Sequence, residues 1–115
     1  MRNDKDNLIV NKSFEFALKI VQFSELLEEN KKYVIARQLL KSGTSIGANV
    51  REAQNAESKA DFIHKLKIAA KEADETEYWF LICKFSDTYP FNEQLLLDVQ
   101  ELIRILSKII SSSKA

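Results

Sequence analysis

The 115-residue chain has the length of one ordinary domain, and its 45% hydrophobic and 30% charged residues are typical of a globular protein with a filled core. Its 17 basic and 17 acidic residues cancel, so no overall positive charge recruits nucleic acids or other polyanions. Two glycines and one proline are too few turn formers for a many-stranded β architecture, which leaves long helices.

The first predicted helix spans about residues 7–29. Apolar and small side chains recur there at steps of three and four, which is the spacing of one helix face. They are Phe16, Ala17, Ile20, Phe23, Ser24 and Leu27. The charged run at residues 28–32 has no apolar periodicity, so it predicts a solvated connection.

The second predicted helix spans about residues 34–55 and has an unusual centre at residues 42–49. Two glycines, at roughly 1 kcal/mol each, and several Ser and Thr residues disfavour a helix there. The apolar phase is nevertheless the same on both sides of the centre, which favours a continuous helix. We predict that the small residues Gly43, Thr44, Gly47 and Ala48 form a flat strip that a neighbouring helix can approach closely. A phosphate-binding loop would need Gly-Lys-Ser/Thr after a strand, and both are missing.

The third predicted helix spans about residues 59–86, with Ser58 as its N-cap. Its inner stripe is Phe62, Leu66, Ala69, Ala73, Thr76, Phe80 and Cys83. Residues 87–90 form the clearest break in the chain, because Pro90 cannot continue a helix and biases the residue before it to extended geometry.

The fourth predicted helix spans about residues 92–111, and a polar tail at residues 111–115 is expected to fray. Its stripe is Leu95, Val99, Leu102, Leu106 and Ile109, widened by Leu96, Ile103 and Ile110. This breadth predicts that part of the stripe lies outside the monomer core and supports self-association. Four helices with short connections predict an all-α fold, an antiparallel up-down-up-down four-helix bundle that forms one domain over residues 1–115.

Residues suited to catalysis or metal binding are scarce. A di-metal bundle needs two Glu-x-x-His pairs, whereas this chain has one histidine, His64, three residues after Asp61. Cys83 would lie about 28 Å from His64 along the same helix, too far for a nucleophile and its base. The sequence therefore predicts no enzyme and no metal or cofactor.

Several polar residues lie where they could join helices or meet a partner. Asn49 and Glu77 are predicted to form interhelical hydrogen bonds that fix register, and Glu52 lies beside the small strip; a functional pocket is the alternative for all three. Four basic residues recur at helical spacing on outer faces and could touch phosphates if several subunits added their faces together, or they could simply be solvated. They are Arg37, Lys41, Lys67 and Lys71.

The cellular compartment is predicted from sequence features that are missing. Cys83 is the single cysteine, and residues 1–6 are polar where a signal peptide would be apolar. No stretch approaches the roughly 18 apolar residues of a membrane span. These features predict a cytoplasmic protein without a membrane segment.

Three stretches resemble one known family. QLLKSGTSIGANVREA at residues 38–53 resembles a hallmark of the four-helix-bundle proteins encoded in intervening sequences of bacterial 23S ribosomal RNA genes. KEADETEYW at residues 71–79 is similar to a second signature of that family, and SFEFA at residues 13–17 resembles its first-helix pattern. The resemblance covers about residues 7–110.

The resemblance implies a small helical bundle, often a homopentameric ring, without known catalytic activity in most members. Some relatives are accessory proteins of diversity-generating retroelements, which bind a reverse transcriptase and nucleic acid; those relatives are markedly basic, and this chain is neutral. Two functions are therefore predicted. The first is a non-enzymatic oligomeric scaffold with a protein or RNA partner, and the alternative is a nucleic-acid-binding accessory protein.

Overall fold

A computed structural model describes the backbone of residues 4–114 and the side chains of residues 8–114. The ends of the polar stretches noted above, residues 1–3 and 115, lie outside the described residues. The four helices are α1 (Asp4–Glu29), α2 (Tyr33–Ala53), α3 (Lys59–Phe85) and α4 (Glu93–Lys114). They form a body of 45 × 20 × 20 Å.

The helices follow one another around the bundle. α1 packs on α2, α2 on α3, α3 on α4, and α4 back on α1, which is the one pair not adjacent in sequence. At every seam, meaning the interface between two neighbouring helices, residue numbers rise along one helix while those of their contact partners fall along the next. Neighbouring helices are therefore antiparallel. The pairs are Ser13 with Gly47 and Ile20 with Gly43, Ser42 with Thr76 and Glu52 with Lys65, Glu77 with Gln100 and Lys84 with Glu93, and Lys12 with Glu101 and Lys19 with Asp98. The predicted all-α four-helix bundle is confirmed.

The core follows the predicted stripes closely. On α3, Leu66, Ala69, Ala73, Thr76, Phe80 and Cys83 are all buried, as expected. Phe62 is only half-buried, and Ile9 and Ser13 extend the α1 stripe by two further turns. Phe23 of α1 and Phe80 of α3 meet in the centre, with ring centroids 5.4 Å apart. One layer of aromatic contact thus joins two diagonal helices.

The helix ends have identifiable local causes. Ser58 caps α3 as predicted, because its hydroxyl accepts the backbone N–H of Asp61 at 3.0 Å. α1 ends in a tight cap: Lys31 has φ 64° and the Lys32 N–H bonds back to the Leu27 carbonyl at 2.8 Å. The connection at residues 30–32 is therefore an ordered helix stop.

α4 differs from the prediction at its C-terminal end. Residues 111–114 continue the helix to Lys114, although a frayed tail was expected from residue 111. The physical reason is that Ile109 and Ile110 still pack against the core and carry the helix past the last buried turn. None of the helices that the structure describes is long and apolar enough to cross a bilayer.

Candidate functional site

The two glycines of α2 face α1. A Cβ on Gly43 would lie 2.7 Å from Ile20 Cγ1, and one on Gly47 would lie 3.2 Å from the backbone oxygen of Ser13. The other two members of the predicted strip, Thr44 and Ala48, lie on the outer side, with Ala48 exposed. Close helix approach therefore rests on the two glycines, and the strip is narrower than the sequence suggests.

A buried hydrogen bond joins α2 to α3. The hydroxyl oxygens of Ser42 and Thr76 lie 2.9 Å apart, and both residues are fully buried. Thr76 Oγ1 also lies 2.7 Å from the Glu72 carbonyl. Since Thr76 has one proton, the consistent arrangement is that Thr76 donates to that carbonyl while Ser42 donates to Thr76. Thr76 was predicted to point inward, but this pairing could not be predicted from helical spacing.

The three polar residues singled out in the sequence make different kinds of contact. Glu77 accepts from Gln100 Nε2 at 3.0 Å, across the seam between α3 and α4. Glu52 pairs with Lys65 at 3.0 Å across the seam between α2 and α3, and this hydrogen bond and charge raise the pKa of Lys65. Asn49 was expected to bond across helices, but its amide donates to the Ser45 carbonyl of its own helix at 2.9 Å. Its short side chain reaches the preceding turn first.

The four basic residues predicted to meet phosphates are all exposed. They are Arg37, Lys41, Lys67 and Lys71. Lys41 and Lys71 both act on Glu72, whose pKa is nevertheless raised, because partial burial and the nearby Glu75 outweigh the two cations. Hydrogen bonding with Lys114 and its positive charge lower the pKa of Lys67. This outer surface therefore mixes basic with acidic groups.

Cys83 and His64 lie on different faces of α3. Cys83 is buried, and burial raises the pKa of its thiol to about 11, while His64 is exposed. Within residues 8–114, no group of three or more His, Cys, Asp and Glu side chains is arranged to hold a metal ion.

Two rows of exposed apolar side chains lie outside the core. The α1 face consists of Phe14, Leu18 and Val21, of which Phe14 is 59% exposed. The α3 face consists of Tyr78, Leu81 and Phe85, of which Phe85 is 78% exposed. Both rows have helical spacing, so each forms one continuous strip. Within the described residues the backbones of α1 and α3 do not approach each other closely, and Phe23 and Phe80 meet only across the core, so these helices are diagonal and the two faces point in opposite directions.

The prediction made for α4 overstates the exposure of its stripe. Its broad stripe mostly belongs to the core, since Leu96 is buried and Ile103 and Ile110 pack against the core. The sequence signal for the α1 face was present at residues 14, 18 and 21, one half-turn away from the main stripe. A second, weaker stripe on a helix is easily missed when only the strongest periodicity is followed.

The chain is similar to one protein family and to a solved structure. The family model described as "23S rRNA-intervening sequence protein" matches residues 5–112. A solved structure, described as a protein with unknown function from the S23 ribosomal protein family from Bacteroides thetaiotaomicron, is 48% identical with a TM-score of 0.86. The match covers 93% of this chain and 98% of that one. No curated protein resembles the chain closely enough to count as a match. With its fold, and with nearly its whole length matched, this chain belongs to the family of 23S rRNA-intervening sequence proteins.

Proposed function

We propose that the chain is a non-enzymatic, self-assembling helical scaffold of the cytoplasm, whose assembled surface binds a protein or RNA partner. The observation that carries the proposal is the pair of exposed apolar faces on α1 and α3. Large apolar side chains arranged in continuous strips usually mark a contact surface. Aromatic residues at both faces, Phe14, Tyr78 and Phe85, are the kind of side chain that anchors interfaces.

A second copy of the chain is the occupant that covers both faces at once. The faces point in opposite directions, so a partner of another kind that docks on one of them leaves the other in water. If the α1 face of one copy packs on the α3 face of the next, every copy is covered twice. Such a head-to-tail contact produces a closed ring or an open filament. The family resemblance favours the ring, as a homopentamer.

Light scattering on three matched variants tests the assembly. We expect the wild type to be an oligomer, and Leu18→Glu and Leu81→Glu to reduce its mass, because each places a carboxylate in a desolvated contact. Leu97→Glu is the control: Leu97 is about as exposed as Leu18, but its neighbours one turn away are all polar. They are Glu93, Gln94, Gln100 and Glu101. A wild type that is monomeric at micromolar concentration would refute the proposal.

A mixing experiment tests the head-to-tail arrangement. Leu18→Glu retains an intact α3 face, and Leu81→Glu retains an intact α1 face. We expect the two variants, each monomeric alone, to form a one-to-one heterodimer when mixed and nothing larger, since only one contact can form. An interface that pairs a face with itself predicts no such complementation.

The second candidate function is a nucleic-acid-binding accessory protein. The observation in its favour is that Arg37, Lys41, Lys67 and Lys71 are all exposed and lie on the adjacent helices α2 and α3. The positive electrostatic potential of one copy is weak, because Glu72 and Glu75 lie in the same region as the basic residues. A ring would repeat the basic residues around its surface.

Binding to structured RNA at several salt concentrations tests the second candidate. We expect log K to fall linearly with log salt, and the joint variant Lys41→Gln/Lys71→Gln to reduce the slope by about two. Lys31→Gln/Lys108→Gln, which removes the same charge elsewhere, should retain the slope. Binding that is absent or insensitive to salt would exclude this function while leaving the scaffold proposal in place.

A further inference from the structure

Two exposed apolar side chains of α2 continue the α1 face onto a second helix. Tyr33 is 50% exposed and Leu40 is 41% exposed. Tyr33, Leu40 and Gly47 are spaced seven residues apart, so they lie on one row of α2. Gly47 faces the backbone of Ser13 on α1, and this row is therefore the side of α2 that lies next to α1.

The glycines of α2 bring this row close to α1. A Cβ at Gly43 would lie 2.7 Å from Ile20 Cγ1, so the two helices approach more closely there than a side chain would allow. Leu40 precedes Gly43 by one turn, and because the helices are antiparallel it lies within about one turn of Val21. The α1 face and the row on α2 thus border one surface groove, the α1–α2 groove. Its exposed apolar side chains are Phe14, Leu18, Val21, Tyr33 and Leu40.

The α1 face alone is small for a stable contact. A standard interface buries about 800 Å² and about 20–30 residues on each partner, whereas the α1 face has three exposed apolar side chains on one helix. The α1–α2 groove raises that number to five and distributes it over two helices. Such a groove fits a helix with apolar anchors at positions i, i+3 and i+7. Tyr78, Leu81 and Phe85 of the α3 face have this spacing.

The charges beside the groove favour α3 as its occupant. α1 has six acidic residues and three lysines, two of which form ion pairs with α4. Glu25 and Glu28 are exposed, and within residues 8–114 neither forms an ion pair. Lys67 and Lys71 lie on the same side of α3 as its apolar face, with Asp74 between them and that face. Two α1 helices would bring like charges together, whereas α1 and α3 bring together opposite ones.

We propose that α3 of one copy docks in the α1–α2 groove of the next copy, with the α3 face between the two helices. The inference rests on the proposed self-assembly and assigns Tyr33 and Leu40 to its contact surface. Each contact then joins three helices, two from one copy and one from its neighbour.

Light scattering on two variants of α2 tests the groove. We expect Leu40→Glu to reduce the mass to that of the monomer, because it places a carboxylate in a desolvated contact. Val34→Glu is the control, since Val34 is 62% exposed but lies five turns before Glu52, on the side of α2 that faces α3. Val34→Glu should retain the wild-type mass. Circular dichroism shows whether both variants are folded.

Mixing experiments test whether Leu40 and Leu18 belong to the same surface. Leu40→Glu retains the α3 face, so it should form a one-to-one heterodimer with Leu81→Glu, which also shows that it is folded. Leu18→Glu and Leu40→Glu both lack the groove, so they should form no complex with each other.

Three outcomes would overturn docking in the groove while leaving self-assembly in place. They are an unchanged mass for Leu40→Glu, a loss of mass for Val34→Glu as well, and a complex between Leu18→Glu and Leu40→Glu. A monomeric wild type would instead refute self-assembly itself, and docking in the groove with it.

Discussion

At the residue scale, Gly43 is the glycine with less room of the two in the bundle. A Cβ atom added at Gly43 would lie 2.7 Å from Ile20 Cγ1 and 2.9 Å from both Ile20 Cδ1 and Ile20 Cγ2. All three atoms belong to a fully buried side chain, so neither residue can move away cheaply. The glycine therefore sets how closely α2 approaches α1.

We predict that Gly43→Ala destabilises the protein by up to about 2 kcal/mol. Overpacking typically costs about 1–3 kcal/mol, which exceeds the roughly 1 kcal/mol that alanine gains over glycine in a helix. Urea denaturation measures the difference. Ala48→Gly, at an exposed position of the same helix, reports the propensity term alone. A higher denaturation midpoint for Gly43→Ala would show that the Ile20 contact is looser than described.

Glu72 gives a prediction that depends on pH. Burial and Glu75 raise its pKa, while Lys41 and Lys71 oppose the shift. The folded state therefore binds the proton more tightly than the unfolded state, and stability falls as pH rises through the region above the unfolded pKa. We expect Glu72→Gln to stabilise the protein at neutral pH, and the gain to vanish below about pH 4. Denaturation at both pH values checks this, with exposed Glu25→Gln as the control.

At the scale of helix pairs, the bond between Ser42 and Thr76 ties α2 to α3. We predict that Thr76→Val costs about 1–3 kcal/mol, because it leaves the buried Ser42 hydroxyl without its acceptor. The double variant Ser42→Ala/Thr76→Val should lose less than the sum of the two single variants. A double-mutant cycle from urea denaturation measures this coupling. Strictly additive losses would mean that the two hydroxyls act independently.

Helical spacing was sufficient to predict the features that depend on one helix alone. The inward residues of α3, from Leu66 to Cys83, follow from one helix's own periodicity, and Ser58 is recognisable as a cap from its immediate neighbours. The contacts between two helices depend on their relative rotation and axial offset. The sequence pattern of one helix contains neither. That is why the partner of Thr76 was missed and Asn49 was expected to bond across helices.

The exposed apolar faces also depend on how the helices pack together and not on the pattern of one helix alone. Whether an apolar residue is covered depends on where the neighbouring helices lie. The extra breadth of α4 is absorbed by the core, while Phe14 and Leu18 of α1 are left in water.

At the scale of the whole molecule, the proposed self-assembly would make stability depend on protein concentration. Association that covers the α1 and α3 faces stabilises the folded chain by mass action. We predict that the thermal midpoint of the wild type rises when its concentration is raised a hundredfold, and that the midpoint of Leu18→Glu does not. Calorimetric scans at the two concentrations check this. A wild-type midpoint independent of concentration would contradict assembly through these faces.

The seam between α1 and α4 has a consequence for the order in which the chain folds. The other three seams join consecutive helices through short connections, whereas the ion pair between Lys12 and Glu101 joins residues 89 positions apart. Bringing those residues together closes a loop of almost the entire chain, and its entropy cost must be met before the contacts form. We therefore expect this seam to close last during folding and to open first in the native protein, so that α1 and α4 would exchange their amide hydrogens before α2 and α3 do.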